Sequence, residues 1–169
     1  SRQTLAELVR RSRAMARAAA AQAPGGPADP GAMPDRLADI AAFGPNPGAL
    51  RMRVFLPDDL PAGAPLLVAL HGCTQTAAGF DAGCGWSDLA AAHGFALLLP
   101  EQRQANNPNR CFNWFEPGDT ARGAGEAESI RAMVAHLVAT RGLDPARVHV
   151  TGLSAGGAMA ATMLATHPE

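Results

Sequence analysis

The 169-residue sequence contains no lysine and no tyrosine, so all 14 of its basic residues are arginine. A phosphate-binding P-loop requires a lysine, and this class of site is therefore excluded. The 15 acidic residues bring the net charge to −1, which leaves no basic excess to neutralise nucleic-acid phosphates. We therefore expect no nucleic-acid partner.

The sequence also lacks a long apolar run and a CxxC pair. No apolar run approaches the ~18 residues that span a bilayer, so we expect no transmembrane segment. The three cysteines, Cys73, Cys84 and Cys111, do not have the spacing of a zinc knuckle or a thioredoxin-type site. Their odd number allows one disulfide and one free thiol, and we expect no metal site.

The N-terminal region differs in composition from the rest of the sequence. Residues 3–22 predict a helix with arginines on several faces, which favours an arm packed on the domain over a membrane-surface or partner helix. Residues 23–48 are rich in proline and glycine and predict a linker, with a turn of helix near 37–42. We therefore divide the chain into an arm and linker, 1–48, and a globular domain, 49–169.

Strand and helix patterns alternate through the globular part. The patterns predict strands at 50–56, 66–70, 95–99 and 148–151, and helices at 86–93, 126–141 and 155–166. The segments at 66–70 and 95–99 are continuous apolar runs, which is typical of strands buried on both faces, and the strand at 148–151 is expected to be buried as well. Residues 71–85 are expected to be a loop and residues 101–125 a long polar segment, and Pro100 is expected to end the third strand. This alternation predicts an α/β fold with a mostly parallel sheet and flanking helices.

The sequence Gly-Leu-Ser-Ala-Gly at 152–156 lies between a predicted strand and a predicted helix. This is the GxSxG pattern of a nucleophile elbow, in which a strained backbone presents the serine hydroxyl above a helix N-terminus. Gly152 and Gly156 are then required to avoid steric clashes, and Ser154 is the candidate nucleophile. A dinucleotide-binding loop would need glycine where Ser154 stands. The remaining alternative is a glycine-rich tight turn with an incidental serine.

A second candidate segment, beginning His71-Gly72-Cys73, follows the predicted strand at 66–70. In α/β-hydrolases the loop after this strand supplies the second backbone N–H of the oxyanion hole. Gly72 allows the backbone to approach a reacting carbonyl closely. The candidate donors are the N–H groups of Cys73 and Ala155. We expect His71 to order the loop by hydrogen bonding, with an ordinary strand-end histidine as the equal alternative.

Four motifs together resemble the polyhydroxybutyrate depolymerase family of α/β-hydrolase esterases. They are HGCTQ (71–75), PEQ (100–102), CFNWF (111–115) and GLSAGG (152–157), in this order. The resemblance extends from about residue 50 to residue 169, and the family also has feruloyl and acetylxylan esterase-like members. It implies a serine esterase for short hydroxyacid polyesters or related acyl esters, one that needs neither cofactor nor metal.

The resemblance also implies roles for particular residues. It makes Ser154 the nucleophile, and it places the backbones of Cys73 and Ala155 at the oxyanion hole. It pairs Cys73 with Cys111 in a disulfide. It makes Trp114 an aromatic that lines the substrate cleft, with a core tryptophan as the alternative. Cys84 departs from the family pattern and is expected to be a free thiol.

The sequence after Ser154 lacks the partners of a catalytic serine. In this fold the triad runs serine, acid, histidine along the chain, yet no Asp follows Ser154. His167 would lie ~19 Å along the predicted helix, out of reach. We therefore expect the acid and the histidine beyond residue 169, a fold incomplete at its C-terminal end, and an inactive isolated chain. The strand at 148–151 would then be an apolar edge open to the missing half or to self-association.

Two alternatives to a polyester hydrolase stay open at this point. The first is a feruloyl or acetylxylan-type esterase, and the second is a non-catalytic polymer-binding protein with a hydrolase fold. The implied disulfide favours a secreted or periplasmic protein over a cytoplasmic one, because cytosolic thiols are usually kept reduced.

Overall fold

The structure is a computed structural model that describes residues 35–168. Its strands are β1 (Ala38–Ile40), β2 (Arg51–Phe55), β3 (Leu66–Leu70), β4 (Ala96–Glu101) and β5 (Val148–Gly152). Its helices are α1 (Ala77–Cys84), α2 (Trp86–His93), α3 (Pro117–Thr120), α4 (Gly125–Arg141) and α5 (Ala155–Thr166). The helix predicted at 3–22 lies outside the described residues.

The five strands form one mixed sheet in the order β1-β2-β4-β3-β5. Strand β3 pairs in parallel with both β4 and β5, whereas β2 pairs antiparallel with β1 and β4. The predicted α/β fold is confirmed, with two antiparallel strands at one edge. The parallel strands bring the ends of β3 and β5 to the same edge of the sheet, and the loop after β3 therefore lies beside the turn after β5.

Apolar side chains cover both faces of the sheet. Along β4, Ala96 and Leu98 belong to one buried cluster, while Leu97 and Leu99 belong to a second. Because alternate residues of a strand point to opposite faces, these clusters lie on opposite sides of the sheet. Helices α4 and α5 contribute to the first cluster and α1 and α2 to the second. Burial on both sides explains why the strand is a continuous apolar run.

Residues 35–48 differ from the predicted linker, because β1 forms where a turn of helix was expected. The buried Arg53 guanidinium donates to the Asp35 carboxylate at 2.6 Å and to the Leu37 carbonyl at 3.0 Å. The Leu37 and Phe43 side chains are buried against the domain. These tertiary contacts incorporate the segment into the sheet. They cannot be predicted from its proline and glycine content.

Two further elements depart from the sequence prediction. Helix α1 forms inside the expected loop 71–85, where the Thr76 hydroxyl accepts a hydrogen bond from the Gly79 N–H at 3.0 Å as an N-cap. Strand β4 continues through Pro100, which pairs with Met52 of β2. The parallel ladder with β3 ends at Leu98, so Pro100 has a strand neighbour on one side only, where a proline is tolerated.

Strand β5 is at the edge of the sheet, as expected from the sequence. The expectation that β5 is fully buried is wrong, since His149 is exposed and its neighbours are only half-buried. Within residues 35–168, no strand pairs with its outer side. No helix in this part of the chain is long and apolar enough to cross a bilayer.

Candidate active site

Ser154 lies at the sharp turn between β5 and α5. Its backbone has φ 54° and ψ −117°, in a region that non-glycine residues rarely adopt. Its side chain is exposed and makes no hydrogen bond to residues 35–168. Strain of this kind costs about 1–3 kcal/mol and persists only where the surrounding structure enforces it. The turn therefore presents a free hydroxyl at the N-terminus of α5.

The two glycines of the elbow lie in close contact with neighbouring backbone. A Cβ atom on Gly156 would lie within 3.0 Å of the carbonyl oxygens of Leu70 and His71 at the end of β3. A Cβ atom on Gly152 would lie equally close to the Gly156 backbone. These contacts let α5 begin directly against the end of β3. They are the steric requirement that the GxSxG pattern predicts.

The loop after β3 forms a tight turn over residues 72–75, in which Thr74 has φ 66°. The N–H of Gly72 donates to Gln75 Oε1 at 2.8 Å, that of Thr74 to the Asn109 carbonyl at 2.6 Å, and that of Gln75 to the Gly72 carbonyl at 3.3 Å. Among these four consecutive groups, only the Cys73 N–H has no acceptor within residues 35–168.

The first N–H of α5, that of Ala155, likewise has no hydrogen-bond acceptor within residues 35–168. Ala155 follows the serine directly, and its N–H donates to no acceptor in the described part of the chain, whereas the Gly156 N–H donates to the Leu153 carbonyl at 2.8 Å. The Cβ position of Gly72 is 3.5 Å from the Leu153 carbonyl oxygen, so the two segments are in contact. Two unused main-chain donors therefore lie on adjoining segments beside an exposed hydroxyl, which is the composition of an oxyanion hole.

A disulfide joins Cys73 to Cys111, and the pairing that the family resemblance implied is confirmed. It closes a separation of 38 residues, which on chain-entropy grounds is worth about 3–4 kcal/mol. The bond holds the loop after β3 against the loop that carries the aromatic residues. Cys84 is a free, exposed thiol, also as expected.

His71 is completely buried beneath the loop. Its Nδ1 is 2.8 Å from the Gly72 carbonyl oxygen, and its Nε2 accepts the Gln102 N–H at 3.0 Å. Burial lowers the pKa of the imidazole. The imidazole is thus hydrogen-bonded to the Gly72 carbonyl of the loop, while its expected role in ordering the loop stays a prediction. With both nitrogens engaged and no exposed surface, this histidine is not a base for Ser154.

A buried polar network that the sequence analysis missed lies under the loop of residues 111–115, called the aromatic loop below. The Gln102 side-chain amide donates to the Cys111 carbonyl at 3.1 Å and to Glu126 Oε1. The second oxygen of Glu126 accepts the Asn113 N–H at 2.9 Å. Glu126 is in the first turn of α4, where a glutamate is usually solvated, and the sequence therefore holds no signal for its burial. The network explains the glutamine of the PEQ motif.

Burial raises the pKa of Glu126 to about 7, against the lowering effect of its hydrogen bonds. A raised folded-state pKa gives stability that is fully present below the unfolded pKa of 4.5 and is lost as the pH rises through about 7. We therefore expect the wild type to lose up to about 3 kcal/mol relative to Glu126→Gln between these pH values. Urea unfolding of both proteins across this range measures the difference.

The control for this pH dependence is Glu116→Gln, at an exposed carboxylate directly before α3. Subtracting the Glu126→Gln curve from the wild-type curve removes the contribution of His71, which both proteins share. A wild-type advantage that grows with rising pH would contradict the assignment, because it would mean that Glu126 is held as a stabilised carboxylate.

The aromatic loop has one buried and two exposed rings. Phe112 is fully buried, with its ring centroid 4.9 Å from that of His71. Trp114 and Phe115 are 49% and 54% exposed and pack edge to face at 5.8 Å. Trp114 is therefore not a core side chain of the described residues, and its place in the substrate cleft stays a prediction. The two exposed rings lie a few residues from the disulfide that joins this loop to the candidate oxyanion loop.

No histidine or carboxylate within residues 35–168 is hydrogen-bonded to the Ser154 hydroxyl. His93 ends α2, His136 is on α4, His149 is on the exposed edge strand, and His167 follows α5. None of them hydrogen-bonds to the serine, and neither does any carboxylate in this range. No group of three or more metal-ligating side chains is found in the same range.

Comparison with known proteins finds similarity over the region of the chain that contains the serine, the two loops and the disulfide. The family model described as Esterase PHB depolymerase matches residues 51–169. The chain is 54% identical over 133 residues to poly(3-hydroxyalkanoate) depolymerase C of Paucimonas lemoignei. This alignment covers 79% of this chain and 32% of the relative. It is 36% identical over 134 residues to feruloyl esterase B of Neurospora crassa, covering 79% of this chain and 45% of that enzyme.

The fold of this chain also matches solved structures of esterases. The acetyl xylan esterase from Aspergillus awamori aligns with a TM-score of 0.73 at 29% identity, over 78% of this chain and 47% of that one. The chain thus spans between a third and a half of the length of the proteins it matches.

Proposed function

This chain belongs to the esterase PHB depolymerase family, and on that premise we propose that it carries the nucleophile and the oxyanion hole of a serine esterase. The observation that carries the proposal is the arrangement at the elbow. A strained, exposed serine hydroxyl lies beside the unused N–H groups of Cys73 and Ala155. Main-chain donors of this kind contribute about 3–4 kcal/mol each to the stabilisation of an acyl-transfer transition state.

The proposed reaction proceeds through an acyl-enzyme. Ser154 Oγ attacks the ester carbonyl carbon while a histidine takes its proton, and the carbonyl oxygen becomes an oxyanion held by the two N–H groups. The intermediate collapses, the C–O bond to the alcohol breaks, and the histidine returns the proton to the leaving alcohol. Water then attacks the acyl-serine by the same route, releases the acid and restores the serine.

We propose that the histidine and its acidic partner belong to sequence outside these 169 residues. This is supported by the absence of a base near Ser154 within residues 35–168. The open edge of β5, beside a groove lined by Val148, Val150 and Leu164, is where further polypeptide would pair with the sheet. Pairing between two copies of the isolated chain would use the same edge, and it would appear as a dimer in size-exclusion chromatography.

We propose short hydroxyacid polyesters as the substrate class. The support is the family itself, the depolymerase relative at 54% identity, and the exposed rings of Trp114 and Phe115 beside the oxyanion loop. We place Trp114 in the substrate cleft on this basis. A feruloyl or acetylxylan-type activity is the second candidate, since relatives with those names share the same region.

The proposal favours an enzyme over a non-catalytic polymer-binding protein because of the strain at Ser154. A backbone conformation that costs about 1–3 kcal/mol brings no benefit to a protein that only binds. We further propose a secreted or periplasmic location, since the Cys73–Cys111 disulfide is favoured in oxidising compartments.

A substrate panel tests the function. The complete protein is expected to hydrolyse p-nitrophenyl butyrate and poly(3-hydroxybutyrate) faster than methyl ferulate or acetylated xylan. The isolated 169-residue chain is expected to be no faster than its own Ser154→Ala variant. Faster turnover of ferulate or xylan would move the assignment to the second candidate. Polymer binding without hydrolysis of any ester would replace the enzyme with a binding protein, and serine-dependent turnover by the isolated chain would place a base within it.

A further inference from the structure

We propose that His71 is a positioning residue, which holds the Gly72–Cys73 peptide so that its N–H faces the oxygen of the reacting ester. The inference rests on the proposed function and extends it to a buried residue that touches no substrate. It depends on which nitrogen of the imidazole carries the proton, how the peptide plane is oriented, and how few other contacts hold it.

The partners of His71 determine its tautomer. A backbone N–H can only donate, so the Gln102 N–H makes Nε2 the acceptor. A carbonyl oxygen can only accept, so Nδ1 carries the proton and donates to Gly72 at 2.8 Å. Both contacts are satisfied by the neutral imidazole with its proton on Nδ1. A proton added at Nε2 would break the bond from Gln102, and burial of the ring opposes the charge.

The Gly72 carbonyl and the Cys73 N–H belong to the same peptide group. In a trans peptide these two bonds lie in one plane and point in opposite directions. When the His71 Nδ1–H holds the carbonyl inward, the Cys73 N–H is directed outward, away from the imidazole. A hydrogen bond to the carbonyl also polarises the peptide and strengthens the N–H as a donor. His71 therefore acts on the proposed oxyanion donor through one rigid group.

Few other contacts hold this peptide in orientation. The Gly72 carbonyl also accepts the Gln75 N–H, but at 3.3 Å, longer than the 2.8 Å contact from His71. Glycine at position 72 gives the backbone freedom to rotate. The disulfide fixes the position of the Cys73 side chain and leaves the peptide plane to the backbone contacts. The Phe112 ring, 4.9 Å away, keeps the imidazole in place. His71 is thus the shortest restraint on the plane.

Two substitutions separate the two nitrogens of the imidazole. In His71→Asn the amide NH₂ takes the place of Nδ1 and keeps the donor to Gly72. In His71→Gln the amide oxygen takes the place of Nε2, which keeps the acceptor for Gln102 and loses the donor to Gly72. The matched control is His93→Asn, at an exposed histidine at the end of α2.

Steady-state kinetics of the complete protein on p-nitrophenyl butyrate carries the test. His71→Gln is expected to lower kcat by about 10- to 100-fold with KM nearly unchanged, since a misplaced donor affects the transition state more than the ground state. His71→Asn and His93→Asn are expected to keep kcat within about threefold of the wild type. Urea unfolding and thiol titration verify that each variant is folded with its disulfide closed.

Nitrogen-15 NMR of the complete protein gives a readout independent of activity. It is expected to show His71 as the neutral tautomer with the proton on Nδ1. The proposal is overturned if the proton is on Nε2, if His71→Gln retains full kcat, or if His71→Asn loses as much kcat as His71→Gln. A wild-type protein without Ser154-dependent hydrolysis would instead overturn the proposed function. The two failures are distinguishable, because the His71 variants are judged against an active wild type.

Discussion

Replacing Ser154 by alanine is expected to lower kcat/KM of the complete protein for p-nitrophenyl butyrate by about a millionfold, the loss typical of removing a serine nucleophile. The residue left behind has no oxygen with which to form the acyl-enzyme, so only binding and the two N–H donors remain. The fold should be unaffected, because the Ser154 hydroxyl is exposed and makes no hydrogen bond within the described range.

A second substitution at this position tests the strain separately from the chemistry. Ser154→Gly is expected to abolish activity equally while raising the free energy of unfolding by about 1 kcal/mol, since glycine adopts positive φ readily. Ser87→Ala, on α2 and remote from the elbow, is the serine control and should retain activity. Serine-dependent turnover that survives in Ser154→Ala would remove this residue from the mechanism.

Replacing Gly156 by alanine is expected to destabilise the protein by about 3 kcal/mol or more, because the new methyl group has no space. Its Cβ would lie within 3.0 Å of the carbonyl oxygens of Leu70 and His71, and these are backbone atoms that cannot swing aside. The start of α5 would have to move away from the end of β3, separating the Ala155 N–H from the Cys73 N–H. Activity should therefore fall further than stability alone explains.

The control for Gly156→Ala is Gly83→Ala, within α1. No atom lies within 4 Å of the Cβ position of Gly83, and alanine is the better helix former. We expect this variant to be as stable as the wild type or more stable, by up to about 1 kcal/mol. Chemical denaturation compares the two alanines directly. Equal stability of Gly156→Ala and the wild type would mean that the elbow is looser than the structure describes.

The sequence contains most of what defines the parallel part of the fold. Strands β3 and β4 are buried and are continuous apolar runs at 66–70 and 95–99, and the amphipathic spacing of α4 is local, so periodicity is sufficient to find them. The elbow was predictable for a steric reason: only glycine fits at positions 152 and 156, and this requirement leaves a visible pattern. The disulfide was accessible only through the family resemblance, since three cysteines allow more than one pairing.

The features that the sequence did not predict depend on contacts between distant residues. Strand β1 is held by the ion pairs of Arg51 and Arg53, which bind Asp39 and Asp35 across the sheet edge. Glu126 looks like an ordinary first-turn glutamate until the fold places Gln102 against it. In both cases the residue type is common at the surface, and only tertiary structure pairs it and buries Arg53 and Glu126.

The polar network beneath the site connects the two loops that the disulfide joins. Gln102 holds His71 through its main chain and Cys111 through its side chain. The two loops are thus joined at three places: by the disulfide, by the hydrogen bond from the Thr74 N–H to the Asn109 carbonyl, and by Gln102, which bonds to both sides. A site that must hold a donor to within a fraction of an ångström requires such support.

The structure of the complete protein after reaction with a fluorophosphonate tests the central claim most directly. We expect a phosphonyl group on Ser154 Oγ, with its oxygen about 2.7–3.1 Å from the backbone nitrogens of Cys73 and Ala155. An adduct on another residue, or a phosphonyl oxygen held by other donors, would contradict it.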